Sequence, residues 1–321
     1  MRPMKPSPLT RRQLLVRAAA VGTACVAGPL AAAQQRAPAA AAGTLRIGGD
    51  LVVNRMGFGA MRITGPGIWG EPKDAAEARR VLRRAVELGV NFIDTADAYG
   101  PEVSERLIKE ALHPYPPGLV IATKGGLLRP GPDQWTRDGR PAHLREACEA
   151  SLQRLKLERI DLYQLHRIDP QVPAADSLGE LARLQREGKI RHIGVSQVSV
   201  DELAAARRIV PIVSVQNRYN VVDRSSADVL AVCERERMAF IPWAPIASGS
   251  AEKLESGASS AALDAVAQAH GVSMWQAALA WLLAKSPSML PIPGTSSMAH
   301  LEEDIAAARV RLTAAQLATL A

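Results

Sequence analysis

Asp74-Ala75-Ala76-Glu77-Ala78-Arg79-Arg80-Val81-Leu82-Arg83-Arg84-Ala85-Val86-Glu87-Leu88-Gly89-Val90-Asn91-Phe92-Ile93-Asp94 is a helix signal that runs, through a glycine, into a strand signal. Asp74 with Glu77 opens the helix like a capping box, and Gly89 supplies a left-handed stop. Ala78, Val81, Leu82, Ala85 and Val86 recur at helical spacing and form one buried stripe. The pairs Arg79-Arg80 and Arg83-Arg84 could form a phosphate patch, but Glu77 and Glu87 on the same helix point to a solvated outer face. The same alternation fills the chain from Gly57 onward. Strands are expected at Met56–Ala60, Asn91–Asp94, Leu119–Thr123, Asp161–Leu165, His192–Val195, Ile212–Gln216, Ala239–Pro242 and Leu290–Ile292. Helices are expected near 75–88, 101–112, 142–156, 175–187, 200–209, 225–236, 260–285 in two pieces, and 297–308. Eight strand–helix units with short connections imply an α/β fold with a parallel sheet, and eight strands close a (β/α)8 TIM barrel. Ahead of them, Leu45–Asn54 carries Gly48-Gly49-Asp50 between β-prone residues, the pattern of an N-terminal β-hairpin closing the barrel bottom. One domain over 44–321 accounts for the whole pattern.

The 321 residues are 47% hydrophobic and 22% charged, which excludes disordered, collagen-like and coiled-coil chains. A formal charge of +7 invites a nucleic-acid partner. Five of those charges, however, sit in residues 1–33 as Arg2, Lys5, Arg11, Arg12 and Arg17 with no acid among them, leaving +2 for the rest. No nucleic-acid partner is therefore expected. Thr10-Arg11-Arg12-Gln13-Leu14-Leu15 is a twin-arginine pattern, followed by a weakly apolar stretch from Ala18 to Leu30 and the small residues Ala31-Ala32-Ala33. Residues 1–33 thus read as a twin-arginine signal peptide cleaved after Ala33, and 34–43 as a flexible leader. A stable membrane anchor is not expected, because the stretch contains glycines and Pro29. Gly22 stands where a lipoprotein signal ending at Cys25 would carry a bulky aliphatic residue. Export in a folded state allows a cofactor to be loaded in the cytoplasm and carried out. Cys148 and Cys233 lie in helical patterns without CxxC spacing and read as buried structural thiols.

In a barrel of this kind the active site lies past the C-terminal ends of the strands. The second strand leads into Asp94-Thr95-Ala96-Asp97-Ala98-Tyr99-Gly100, the third into Thr123-Lys124-Gly125-Gly126, and the fourth into His166. Taken singly, such an Asp is often a helix cap, such a Lys solvated and such a His a core residue. Four on one rim make a set with a joint chemistry. A phenol with a pKa near ~10 donates a proton poorly unless its anion is stabilised. A lysine ammonium provides that stabilisation, and a carboxylate keeps the lysine charged. A histidine opposite can hold a carbonyl oxygen. The set suits protonation of an oxygen while hydride reaches the adjacent carbon.

These motifs resemble the aldo-keto reductase superfamily over residues 45–310. The resemblance is carried by Gly57-Phe58-Gly59-Ala60-Met61-Arg62, Phe92 to Gly100, Thr123-Lys124-Gly125 and Asp161 to His166. It continues through Gly194-Val195-Ser196, Val215-Gln216-Asn217-Arg218-Tyr219-Asn220 and Ile292-Pro293-Gly294-Thr295-Ser296-Ser297. It is nearest to the bacterial group that includes pyridoxal reductases. It implies Tyr99 as general acid, Lys124 and Asp94 as its tuning pair, and His166 as orienter of the carbonyl. It also implies NADPH extended across the barrel top. Ser196, Gln197 and Gln216 would hold the carboxamide and Trp243 would stack on the nicotinamide. Gly294, Thr295, Ser296 and Ser297 would open a helix onto a phosphate, with His300, Glu303 and Asp304 beside the 2′-phosphate and adenine.

Gln197 stands in place of the family's usual Asn, Trp243 in place of the commoner Tyr, and Asp304 in place of Asn. Gly294 and His300 replace basic residues often used on the 2′-phosphate; NADPH is nevertheless expected over NADH. Trp69 and Trp135, in loops after the first and third strands, are expected as substrate walls, and Trp275 and Trp281 as core. The chain ends soon after its last helix, from which an open pocket is expected. Gly57-Phe58-Gly59 lacks the third glycine of a dinucleotide fingerprint, and no phosphate loop, HExxH or GxSxG is present. Six scattered histidines offer no metal spacing. The expected function is reduction of a small-molecule aldehyde or ketone to an alcohol. The alternatives are an NADPH-binding sensor barrel, which could lose Tyr99 without penalty, and a metal-free lyase or hydrolase, which would not need Trp243 or Gln216.

Overall fold

A computed structural model describes residues 37–246 and 260–320. The twin-arginine segment lies outside the described residues, as do residues 34–36. The rest of the expected flexible leader is ordered instead, with Pro38–Ala42 in a 3-10 turn whose Ala39 is buried and donates its N–H to the Leu88 carbonyl. A hairpin comes first, β1 (Thr44–Ile47) paired antiparallel with β2 (Leu51–Asn54). Its turn uses Gly48 and Gly49 at φ +61° and +87°, where side chains are strained. Seven parallel strands then form one curled sheet in the spatial order β11-β10-β9-β8-β5-β4-β3. They are β3 (Phe58–Gly59), β4 (Phe92–Asp94), β5 (Val120–Gly125), β8 (Ile160–Leu165), β9 (Ile190–Ser196), β10 (Ser214–Gln216) and β11 (Ala239–Phe240). Between β5 and β8 a second hairpin, β6 (Leu127–Gly131) paired antiparallel with β7 (Gln134–Arg137), stands where the sequence suggests only a loop.

The helices fall close to expectation: α1 (Ala75–Glu87), α2 (Val103–Leu112), α3 (Pro141–Leu155), α4 (Ala174–Arg186), α5 (Val200–Ile209) and α6 (Ala227–Arg235). After the undescribed 247–259 come α7 (Ser260–His270), α8 (Met274–Lys285), α9 (Met298–Ala306) and a short α10 (Ala314–Thr319). In α1 the Asp74 carboxylate accepts the Glu77 N–H, but Glu77 turns to Arg80 instead of closing the box. Arg79 pairs with Glu110 and Arg84 with Glu302, so this face is a solvated ion-pair surface and not a phosphate patch. Cys148 and Cys233 are buried free thiols, each pushed up to about 12 by burial.

The expected eighth strand, Leu290–Ile292, forms no regular ladder. Pro291 and Pro293 have no N–H to donate. Their carbonyls still accept from Gly57 and Gly59 of the β3 edge, while the Leu290 N–H donates to the Phe240 carbonyl of the β11 edge and the Phe240 N–H to the Ser288 carbonyl. The segment therefore hydrogen-bonds to both ends of the seven-stranded sheet. Backbone proximity there leaves no room for side chains: a Cβ on Gly59 would lie 2.7 Å from the Ile292 carbonyl, and one on Gly294 would collide with the Gly59 carbonyl.

Strand periodicity sorts the sheet into two faces. Ile93, Ile121, Tyr163, Ile193 and Val215 pack toward the helices in the large core. Phe92, Val120, Leu162, Ala239 and Leu290 form a second apolar cluster with Ile47, Leu51 and Val53 of the first hairpin. Toward the C-terminal ends of β4, β5, β8 and β10 buried polar residues appear: Asp94, Lys124, Gln164 and Gln216. The register, with Lys124 opposite Gln164 and Gln216 opposite Ser196, sets them side by side.

Candidate active site

Lys124 is fully buried, and an ammonium is tolerated there only if its donors are satisfied. They are. Its Nζ donates to Asp94 Oδ1 at 2.7 Å, to the Thr95 carbonyl at 2.8 Å and to the Tyr99 hydroxyl at 3.2 Å. The second Asp94 oxygen accepts from Gln216 Nε2 at 2.7 Å and from Gln164 Nε2 at 3.2 Å. The His166 ring stands edge-on to the Tyr99 ring, with centroids 5.8 Å apart. All four rim residues singled out in the sequence thus meet in one place. They open onto a cavity of about 890 Å³, whose walls include Asp94, Tyr99 and His166.

That cavity extends from Tyr99 past Ser196, Gln216 and Trp243 to Gly294, Thr295, His300, Glu303 and Asp304. Its far end is the start of α9, where Ser297 caps by accepting the His300 N–H and Thr295 Oγ1 accepts the Ser297 N–H. The first amides of such a helix have no intrahelical acceptor. Gln197, at φ +58°, accepts the Trp243 indole N–H at 2.6 Å and fixes that ring. Gln197, Ser296 and Ser297 do not themselves line the cavity.

A model of the aldo/keto reductase family matches residues 55–321. The chain belongs to that family. The reductase is 52% identical over 289 residues to an oxidoreductase of Schizosaccharomyces pombe, covering 90% of this chain and 92% of the other. It is 41% identical over 278 residues to the pyridoxine 4-dehydrogenase of Escherichia coli, covering 85% and 95%. Among solved structures it is similar to the glycerol dehydrogenase of Gluconobacter oxydans, with TM-score 0.79, 28% identity, and 87% and 94% coverage. An aldo-keto reductase of Klebsiella pneumoniae in complex with NADPH gives TM-score 0.73 at 26% identity, with 86% and 93% covered. The reductase is thus an enzyme of the oxidoreductase class, and these neighbours imply a (β/α)8 barrel.

Burial holds the Tyr99 phenol of the reductase above its ordinary value, outweighing Lys124, which pulls it down as a stabiliser of its anion does. Burial also opposes the charge on Lys124, yet Asp94 and then Tyr99 overcome it and hold Lys124 above the usual range. Tyr99 is thus a neutral donor beside a permanent ammonium. His166 is held well below the imidazole range by burial, then by Lys124 and Arg167, so it is neutral and offers a single N–H. The arrangement can deliver one proton and one further hydrogen bond to a single oxygen.

Asp304, in place of the family's usual Asn, is not a permanent negative charge. Burial, with Glu303 beside it, pushes its carboxyl up to about 7. An unfolded aspartate titrates near ~3.9, so the folded state holds this proton more tightly. Stability from this group is complete below pH ~4 and is lost as pH rises through about 7. Asp304→Asn is expected to gain on wild type by on the order of 2 kcal/mol between pH 5 and pH 8 in urea unfolding. A difference independent of pH would contradict it.

Several residues were missed or misassigned. Gln164 is a buried donor to Asp94, and period-2 alternation from Leu162 would have exposed it. Trp275, expected as core, is half-buried and lines the cavity, while Trp281 is core and stacks on Tyr219. Trp135 lines the cavity, but Trp69 does not; Ile68 takes that place. Arg129, unremarked in the sequence, is buried, bonds to the carbonyls of Gly67, Ile68 and Gln134, and lies 3.7 Å from the Trp135 ring centre. No cluster of metal-binding side chains occurs among the described residues, and no helix there is long and apolar enough to cross a membrane.

Proposed function

We propose that this aldo/keto reductase is an NADPH-dependent carbonyl reductase, converting an aldehyde or ketone to an alcohol with Tyr99 as general acid. The observation that carries the proposal is the buried chain Asp94–Lys124–Tyr99, with its phenol and His166 opening on one cavity. The cavity fits an extended dinucleotide: its volume is ample, its wall runs from Tyr99 to a helix start, and two glycines keep backbone close beneath it. When bound, the nicotinamide supplies the hydride.

The chain's own residues do the rest. His166 donates its N–H to the carbonyl oxygen and orients it. The new C–H bond forms at the carbonyl carbon, the carbonyl pair passes to oxygen, and Tyr99 gives that oxygen its proton. Lys124 then stabilises the phenolate, and Asp94 keeps Lys124 charged and in place. Gln216 commits its Nε2 to Asp94, which leaves Oε1 to accept from the carboxamide. Ser196 donates to the Gln216 carbonyl and remains an acceptor. Trp243, fixed by Gln197, presents its ring to the nicotinamide. Gly294, Thr295 and the first amides of α9 receive a phosphate, with His300, Glu303 and Asp304 beside the adenine end. The test is consumption of NADPH by the purified protein across a panel of aldehydes and ketones; binding of NADPH without turnover of any carbonyl would overturn the proposal.

The same reading takes the curled sheet plus residues 289–292 as a closed barrel over 44–321, and the first hairpin as the plug of its lower end. It also takes 1–33 as an export signal. A reporter fused to residues 1–43 is expected outside the inner membrane, and Arg11→Lys with Arg12→Lys is expected to abolish its export. Export unaffected by the pair would sink the twin-arginine assignment.

A further inference from the structure

Near Tyr99 and His166 the wall of the cavity carries two guanidinium groups that the reaction does not use. Arg167 follows His166 directly, and Arg137 ends β7, two residues past Trp135; both line the cavity. Among the described residues Arg167 makes no hydrogen bond and no ion pair, and its Nη1 is buried without an acceptor. Arg137 makes one hydrogen bond, to the Ile168 carbonyl, and no ion pair. The acids close to them in sequence are committed elsewhere. Asp138 is bonded twice to Arg140, and Asp169 accepts the backbone amides of Gly139 and Gln171. Other arginines are satisfied: Arg129 holds four carbonyls, of Gly67, Ile68, Ala98 and Gln134, and Arg145 holds Glu180 and Glu187.

A buried guanidinium donor without an acceptor is costly, so native structures pair it. Here burial and the like charge of Arg137 press Arg167 below its ordinary range. An anion between them would answer both. We propose that the substrate is a carbonyl compound bearing an anionic group, a carboxylate or a phosphate, which Arg167 and Arg137 receive beside the reacting carbonyl. The inference rests on the reductase reading above, which assigns the Ser196–Asp304 half of the cavity to the dinucleotide and the Tyr99–Trp135 half to the substrate. Ile68, Leu127 and Trp135 give that half an apolar wall. Guanidinium forks match carboxylate and phosphate oxygens in pairs, which fixes orientation as well as affinity.

The test compares matched aldehydes with the full chain and saturating NADPH: butanal against succinic semialdehyde, and glyceraldehyde against its 3-phosphate. The anionic member of one pair is expected to have a kcat/KM at least ~10-fold higher, mostly through KM, and the pair that shows it names the anion. Arg167→Met is expected to bring that ratio near one, and Arg167→Lys to keep part of it. Equal or better turnover of the neutral members overturns the proposal. So does an unchanged ratio in Arg167→Met, or a ~10-fold weaker NADPH affinity in that variant with the ratio intact, which would give the arginine to the cofactor. If no aldehyde is reduced at all, the reductase reading is what fails. Titration calorimetry with succinate and with inorganic phosphate then decides the anion site alone. Binding lost in Arg167→Met supports it; no binding by wild type overturns it.

Discussion

Tyr99→Phe is expected to lower kcat/KM for aldehydes by about 10²- to 10⁴-fold, the range that a positioned general acid contributes. The substitution removes one oxygen and leaves the ring in a site where its edge-on contacts with His166 and Trp135 persist. Stability should change little, because the phenol's partner Lys124 keeps two other acceptors, Asp94 and the Thr95 carbonyl. NADPH affinity should also persist, which separates a chemical defect from a binding one. The loss should appear chiefly in kcat, since the proton is needed only as negative charge develops on the oxygen. Steady-state rates beside a fluorescence titration with NADPH make the comparison. A variant that keeps more than about a tenth of wild-type kcat/KM would remove Tyr99 from the acid role.

Lys124→Met carries the second large effect, and it falls on stability as well as activity. Wild type satisfies a fully buried ammonium with a carboxylate, a carbonyl and a phenol. Removing the ammonium alone leaves the Asp94 carboxylate inside the protein with only two amide donors, Gln164 and Gln216. Breaking a buried pair from one side costs about 3–5 kcal/mol. Replacing both members costs much less than the sum of the single changes, because no uncompensated charge remains. Urea unfolding of Lys124→Met, Asp94→Asn and the double variant is therefore expected to be strongly non-additive, with all three inactive. Additive losses would mean that the two side chains are not coupled as the distances imply.

The order of the fold was legible because each unit carries two clear periods. The α1 stripe and its Gly89 stop were readable in the chain, and so was the run ending at Asp94. The register that brings Asp94, Lys124 and Gln216 together follows from short apolar strands turning polar at one end. The failures have physical causes. Residues 290–292 have strand-like composition, but prolines at 291 and 293 remove the donors that a ladder needs. The β6–β7 hairpin is hard to read because its signal is a two-residue Pro132-Asp133 turn, with Asp133 at φ +54°, between a five-residue strand of alternating burial and a four-residue exposed one. Trp275 and Trp281 share a helix, and spacing alone could not tell the face turned to the cavity from the face turned to Tyr219. The net rise at Tyr99 depends on depth of burial, which no local pattern encodes. The free guanidinium of Arg167 is visible only once Asp138 and Asp169 are seen bound elsewhere.

Transfer of the hydride is the central claim, and labelled cofactor tests it most directly. With NADPH carrying deuterium at the transferred C4 position, each aldehyde turned over should give an alcohol with one deuterium on the former carbonyl carbon. One equivalent of NADP⁺ should form with it, both read by mass spectrometry. Unlabelled alcohol, or no alcohol from any carbonyl while NADPH remains bound, would contradict the account.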